Sequence, residues 1–139
     1  MVVYLDTSSL VKLYVEEDES SKVEALVRSS EFTATSLVAY AEARASFARR
    51  FREKAFTPDE HDRIKKFFDK DWNSYLVLNV TEIMIRLAGG LAEKHALRGF
   101  DAIHLASALI LRKELSSPIV FSCFDDKLQK ASKCENLNG

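Results

Sequence analysis

The stretch VVYLDTSSL, residues 2–10, opens on four apolar residues, turns to an acid at Asp6 and continues into the hydroxyl-bearing Thr7, Ser8 and Ser9. A short unbroken apolar run rich in β-branched and aromatic residues is the pattern of a strand buried on both faces. Three more runs of this kind follow: FTAT at 32–35, YLVLNV at 75–80 and IVFSCF at 119–124. Helical patterns fill the intervals: SSLVKLYVEE, SSKVEALVRS, SLVAYAEARASFARRFREKA, PDEHDRIKKFFDKDW, EIMIRLAGGLAEKHAL and FDAIHLASALILRKE, with DDKLQKAS after the last strand. Thr57-Pro58-Asp59-Glu60 carries the capping box and first-turn proline of a helix start, and Thr81 is placed to cap the next helix. Strands separated by helices need parallel crossovers. The expected fold class is therefore α/β, a three-layer α/β/α sandwich on a mainly parallel central sheet of about four strands.

The 139 residues are 47% hydrophobic with only 4 Gly and 2 Pro, enough for a core that needs no disulfide or metal staple. Residues 1–139 read as one domain, with SKCENLNG (132–139) as a polar tail that frays. No stretch approaches the ~18 apolar residues of a membrane span, and no basic and apolar leader pattern precedes VVYL. The expectation is a cytoplasmic protein with no membrane partner. Cys123 and Cys134 lack the number and spacing of a disulfide framework or zinc site and read as reduced thiols. The formal net charge of −1 hides an asymmetry: residues 1–20 sum to −4, whereas residues 44–70 sum to +4. Such a basic block is either a polyanion-binding surface or a set of solvated helix faces.

In an open α/β sheet, ligands bind outside the carboxyl ends of the strands. Asp6 follows VVYL and Asp125 follows IVFSCF, so two acids far apart in sequence can meet at one sheet end. Glu42 is the only acid in SLVAYAEARASFA. With Leu37, Tyr40, Ala41, Ala48 and Phe51 as the expected buried stripe, it falls on the margin in a row with Ser46, Arg49 and Glu53. It is either an exposed carboxylate or one held at the rim of a cleft, with Arg49 two turns along to meet a phosphate. Asp101 opens GFDAIHLASALIL, a helix apolar around its circumference, where it either complements the helix N-terminus or serves as a rigidly held ligand. His104, one turn later, reads as a hydrogen-bonded packing residue.

If the four acids converge, repulsion governs their chemistry. Two carboxylates ~5 Å apart at an effective dielectric near 20 repel by about 3 kcal/mol, so the cluster must bind cations or protons. Hard oxygen ligands without His or Cys select Mg²⁺ or Mn²⁺ over zinc, and such an ion can activate water for attack on a phosphodiester. Four acids alone do not single out this chemistry, because many α/β domains carry as many.

The four segments taken in order resemble the PIN domains, and among them the VapC-like toxins of prokaryotic toxin–antitoxin pairs. VVYLDTSSLVKLYVEEDES looks like the family's first strand, its acid and the Thr/Ser helix start, and TSLVAYAEARASFARR like the segment with the second acid. RGFDAIHLASAL is similar to the family's most specific string, the third acid leading into a helix with HLA. FSCFDDKLQKAS resembles the stretch with the fourth acid, matched by Asp125 rather than Asp126 because Leu128 then falls three residues later. CENLNG, however, offers little of the short final strand that family members often have, and Asp126 is an extra acid able to compete for the fourth position.

The resemblance implies a metal-dependent endoribonuclease acting on RNA, using Mg²⁺ or Mn²⁺, restrained by a cognate VapB-like antitoxin and commonly a homodimer. It places the metal most directly on Asp6 and Asp101, with Glu42 and Asp125 completing the quartet, and gives Thr7 and Ser8 the hydroxyl positions that orient a carboxylate or water. Arg49 and Arg50 are the first candidates for RNA phosphates. In the helical hairpin of residues 36–70, Phe47, Phe51, Phe67 and Phe68, with Trp72 just beyond, either close the protein's own core or leave an apolar surface for an antitoxin helix or a second copy. The competing functions are a PIN-type nuclease for ribosomal RNA maturation or structured DNA, and a non-catalytic PIN-like module binding RNA or protein. A haloacid-dehalogenase-type phosphotransferase would need a second carboxylate two residues after Asp6, where this chain has Ser8.

Overall fold

In the computed structural model, which describes residues 1–137, the VVYL run is strand β1 (Val2–Leu5), with all four side chains excluded from water. β1 pairs in parallel with β2 (Phe32–Ser36) on one side, Val3 opposite Thr33, and with β4 (Ile119–Ser122) on the other, Val3 opposite Val120. A short β3 (Leu76–Leu78) adds in parallel to β2, giving the order β3-β2-β1-β4 and a sheet that is parallel throughout. The pleat sends alternate residues of β1 to opposite faces. Val2 and Tyr4 join a core with Met84 and Ala88 of α5 (Glu82–His95), Leu105 and Ala106 of α6 (Gly99–Glu114) and Leu128 of α7 (Asp126–Cys134). Val3 and Leu5 join a second core with Leu10 of α1 (Thr7–Val11), Val23 of α2 (Ser20–Arg28), Ala43 and Phe47 of α3 (Val38–Arg52) and Phe68 of α4 (Pro58–Trp72). These two cores, one on each face of the sheet, are the expected three layers.

The helix starts follow from local chemistry. Thr57 Oγ1 accepts from the Glu60 amide at 3.2 Å while the Glu60 carboxylate accepts from the Thr57 amide at 2.8 Å, the complete capping box. Thr81 Oγ1 accepts from Met84 N and caps α5.

Several expectations need correction. α1 stops at Val11, because Leu13 and Tyr14 bond three residues back and tighten the chain into turns. β3 is three residues rather than six, a short edge strand with one ladder. The buried stripe of α3 is Ala39, Ala43 and Phe47, while Leu37 and Ala41 face outward. The two small alanines let the helix approach the sheet closely, a choice that apolar periodicity alone does not make. Residues 132–137 do not fray: α7 runs to Cys134, Leu137 is buried, and Arg112 donates to the carbonyls of Glu135 and Asn136. Residues 138 and 139, the rest of the expected tail, lie outside the described residues. Among the described residues no strand follows α7, and no helix is long and apolar enough to cross a membrane.

The aromatic hairpin mostly closes the protein's own core. Phe47 and Phe68 are fully buried and meet edge to face with centroids 5.5 Å apart, an arrangement for which truncation of either ring to alanine costs about 3–5 kcal/mol. Phe67 is 55% exposed and lines a cleft of about 630 Å³ between the α1–α2 connection and the hairpin, with Leu13, Phe56 and Ile64.

Candidate active site at the carboxyl end of the sheet

The strand order reverses its direction of growth between β1 and β4, and the crevice at such a switch point is where α/β sheets bind ligands. Asp6 leaves the end of β1 there. Its amide donates to the Ser122 carbonyl at 3.1 Å, fastening it to β4. Its Oδ1 caps α1, accepting from Ser9 N at 2.9 Å and from the Ser8 hydroxyl at 2.7 Å. Asp6 is only 4% exposed. Burial pushes its carboxyl above the usual range; His104 and the bonds from Ser9 and Ser8 offset part of that rise, and nearby Asp101 adds to it.

Asp125 follows β4 as the N-cap of α7, with Oδ1 accepting from Leu128 N at 2.9 Å. Asp126 stands exposed in the first turn. Asp101 lies in the first turn of α6, where negative charge is favoured, and its Oδ2 accepts from Arg98 Nε at 3.1 Å and Nη2 at 3.0 Å. The bond to Asp101 raises the pKa of the guanidinium, and Asp125 and Glu42 reinforce it. Asp101 and Glu42 line one cleft of about 530 Å³, and Asp101 and Asp125 line an adjoining one of about 250 Å³. Arg98 borders both.

Glu42 is half-buried, and its Oε1 accepts from the Thr7 hydroxyl at 2.6 Å and lies 3.0 Å from His104 Nε2. Burial would raise its carboxyl, but the bonds from His104 and Thr7, with the charge of Arg98 nearby, hold it below the usual value. His104 is buried, and its Nδ1 lies 2.8 Å from the Tyr4 hydroxyl. Burial drives the Tyr4 phenol well above its ordinary pKa, so Tyr4 remains a donor to Nδ1 and leaves the Nε2 proton for Glu42. The adjacent hydroxyls thus serve different acids, Ser8 holding Asp6 and Thr7 holding Glu42.

Tyr4 and Arg98 are the participants the sequence did not point to, the faint signal for Arg98 being its place three residues before Asp101. His104, expected as a hydrogen-bonded packing residue, is buried and bonded, and its partners are Tyr4 and Glu42 of the site. The two arginine candidates separate. Arg50 Nη2 is 2.7 Å from Glu17, and its Nη1 is buried without a partner, whereas Arg49 is exposed and only loosely opposed to Glu53 at 3.7 Å. Cys123, beneath the acids, is pushed up to about 12 by burial and then by Asp6, and stays an inert thiol.

Each of the four carboxylates has one oxygen fixed by protein donors, while the other has no protein partner among the described residues: Oδ2 of Asp6, Oδ1 of Asp101, Oδ2 of Asp125 and Oε2 of Glu42. That division suits cation binding, since an oriented carboxylate keeps a free oxygen. Among the described residues no three His, Cys, Asp or Glu side chains are gathered so as to hold a metal ion. An all-oxygen donor set with no enclosing cage fits Mg²⁺, which uses one or two carboxylates and retains several waters.

A model of the PIN domain matches residues 3–133. The chain belongs to the PIN domain family. Its PIN relatives include Ribonuclease VapC49 of Mycobacterium tuberculosis (strain ATCC 25618 / H37Rv), 38% identical over 108 residues that make up 78% of this chain and 75% of the relative. Ribonuclease VapC46 of the same strain is 30% identical over 131 residues, covering 94% and 90%. Two solved structures share the PIN fold. A toxin-antitoxin complex from Klebsiella pneumoniae superposes with a TM-score of 0.59 at 19% identity, covering 85% of this chain and 83% of the other. VapBC2 from Rickettsia felis, bound to a DNA fragment from their promoter, superposes with a TM-score of 0.64 at 14% identity, covering 99% and 96%.

Proposed function

We propose that this protein is a metal-dependent endoribonuclease and the toxin of a toxin–antitoxin pair, acting in the cytoplasm as a single-domain protomer of a homodimer. The observation that carries the reading is the set of four carboxylates around one sheet end, each anchored through one oxygen and free at the other. The ribonuclease names of relatives at 38% and 30% identity support RNA as the substrate. Mg²⁺ or Mn²⁺, when bound, would supply charge neutralisation at the phosphodiester and a lowered pKa for attacking water.

The chain's own groups supply the rest. Asp6 and Asp101 would hold the ion, Asp6 because burial makes an unpaired charge there unfavourable and Asp101 because the α6 N-terminus fixes it. Glu42, kept ionised by Thr7 and His104, is a proton acceptor at the edge of the cleft, and Asp125 closes the opposite edge. Arg49 is positioned for an RNA phosphate: it lies seven residues after Glu42 on the same helix face, about 10 Å along the axis. Arg50 holds Glu17 and orders the α1–α2 connection. The cleft beside Phe67 suits the apolar face of an antitoxin segment.

The test is cleavage of a single-stranded RNA and the matching DNA by wild type and Asp6→Ala, with Mg²⁺, with Mn²⁺ and with chelator. RNA cleavage should require the metal and vanish in Asp6→Ala, with the circular dichroism spectrum unchanged. Cleavage that persists in Asp6→Ala or in chelator would remove Asp6 from the chemistry, and cleavage of DNA alone would replace the substrate.

A further inference from the structure

The ring of Phe100 stands at the mouth of the acidic cleft, one residue before Asp101. Beyond it α6 is enclosed, with Ala102, Leu105, Ala106 and Ala108 at 0% exposure, yet Phe100 is 56% exposed. Leaving a phenyl ring in water forgoes the stabilisation that burial would give, and neither core includes it. The ring lines the 530 Å³ cleft with Glu42, Arg98 and Asp101, a volume within the range of small-ligand sites.

The surrounding charges define what this cleft can bind. Carboxylates repel a phosphate backbone. The nearby guanidinium of Arg98 is engaged twice by Asp101, at 3.1 and 3.0 Å, and Arg50 is tied to Glu17 at 2.7 Å. Arg49 and the exposed Lys127 of the adjoining cleft are the cations left for phosphates, too few to offset the carboxylates by themselves. A nucleobase is neutral and has a π-face, and single-stranded RNA is commonly gripped by stacking unpaired bases on aromatic side chains.

We propose that the Phe100 ring is a stacking platform for an unpaired nucleobase next to the scissile phosphate, and that stacking adds to the few phosphate contacts a hold they do not supply alone. This rests on the ribonuclease reading above and adds a positioning residue to it. The ring carries no hydrogen-bonding group, so it selects for unpaired bases and not for their identity.

The experiment measures binding of a short fluorescein-labelled single-stranded RNA in Mg²⁺ to Asp6→Ala protein carrying Phe100, Phe100→Leu or Phe100→Trp. Phe100→Leu, which keeps an apolar side chain but no π-face, should weaken binding roughly tenfold. Phe100→Trp should restore it, with indole fluorescence quenched as RNA is added. An abasic ribose-phosphate chain of the same length should bind all three alike. Melting temperatures should coincide, because the ring is more than half exposed and belongs to neither core. Binding by Phe100→Leu within twofold of the parent overturns the stacking role. So does loss of antitoxin binding with RNA binding intact, which would make the ring a protein contact. These outcomes are separate from the parent reading, which stands or falls on cleavage by Phe100-containing wild type against Asp6→Ala.

Discussion

At the scale of single residues, Asp6 is held against its own electrostatic preference. Its carboxyl is 4% exposed and its pKa is raised, chiefly by burial. A raised folded-state pKa means that the folded protein holds the proton more tightly than the unfolded chain. Stability therefore falls as pH rises from the ordinary value of 3.8 through the raised one, and the ionised carboxylate burdens the fold at neutral pH. Asparagine keeps an acceptor for the Ser9 amide, being as good an N-cap as aspartate, and removes the charge. In chelator at pH 7, Asp6→Asn should melt a few degrees above wild type in differential scanning fluorimetry, with the gap closing as the pH is lowered. Added Mn²⁺ should raise the wild-type melting temperature and leave the variant nearly unmoved. Equal melting in chelator would show that Asp6 is not strained by burial. The other acids differ from Asp6 in how they were legible. Only the family resemblance, by where Leu128 falls, selects Asp125 over Asp126, and the place of Asp125 as the N-cap of α7 is a local geometry that the structure supplies. The bonds of Glu42 to Thr7 and His104 span 35 and 62 residues, and no local pattern announces them.

At the scale of elements, the same division holds. β1, the capping box of α4 and the cap of α5 rest on residues within one turn of each other and were readable directly. The burial of α3 was not, because Ala39 and Ala43 carry little hydrophobic signal and gain their place from how closely the helix packs. The end of the chain was unreadable for a different reason. CENLNG is polar in composition, but Glu135 Oε2 lies 2.7 Å from both Lys94 Nζ and His95 Nε2 at the end of α5, partners about 40 residues away. This clasp holds α7 to α5 while its other end presents Asp125 to the site. The bonds from Lys94 and His95 lower the pKa of Glu135. A lowered folded-state pKa contributes stability that is present above the ordinary value of 4.5 and is lost as pH falls through the lowered one. Glu135→Gln should therefore destabilise the fold at pH 7 by about 1 kcal/mol, read as a lower melting temperature, and the difference from wild type should shrink below pH 4.5. A difference that stays constant across the acid range would mean the clasp works by packing and not by charge.

At the scale of the whole molecule, the net charge of −1 comes from an acidic N-terminal segment and a basic hairpin, and the structure partly closes one against the other. Glu17 takes Arg50 at 2.7 Å and Lys12 at 3.4 Å, while Asp69 takes the Tyr40 hydroxyl and faces Arg44 at 3.9 Å. Of the nine bases of residues 44–70, Arg44, Arg49, Arg50 and Lys65 stand opposite acids, while Arg52, Lys54, Arg63, Lys66 and Lys70 are exposed with no ion pair among the described residues. Each phosphate neutralised on a single strand releases counterions and contributes about −0.7 to the slope of log K against log salt. A rim using all nine would give a slope near −6, whereas one or two contacts with stacking beside them give about −0.7 to −1.4. RNA binding by the Asp6→Ala protein, followed by anisotropy across a range of KCl concentrations, should show the shallow slope. Arg49→Glu should weaken binding and flatten the slope by about 0.7, the loss of one phosphate contact. Arg50→Ala should leave the slope unchanged and instead lower the melting temperature, since it strips Glu17 of its closest cation. A slope steeper than about −3 would mean that the exposed bases of the hairpin meet the backbone together, and would return the affinity from stacking to charge.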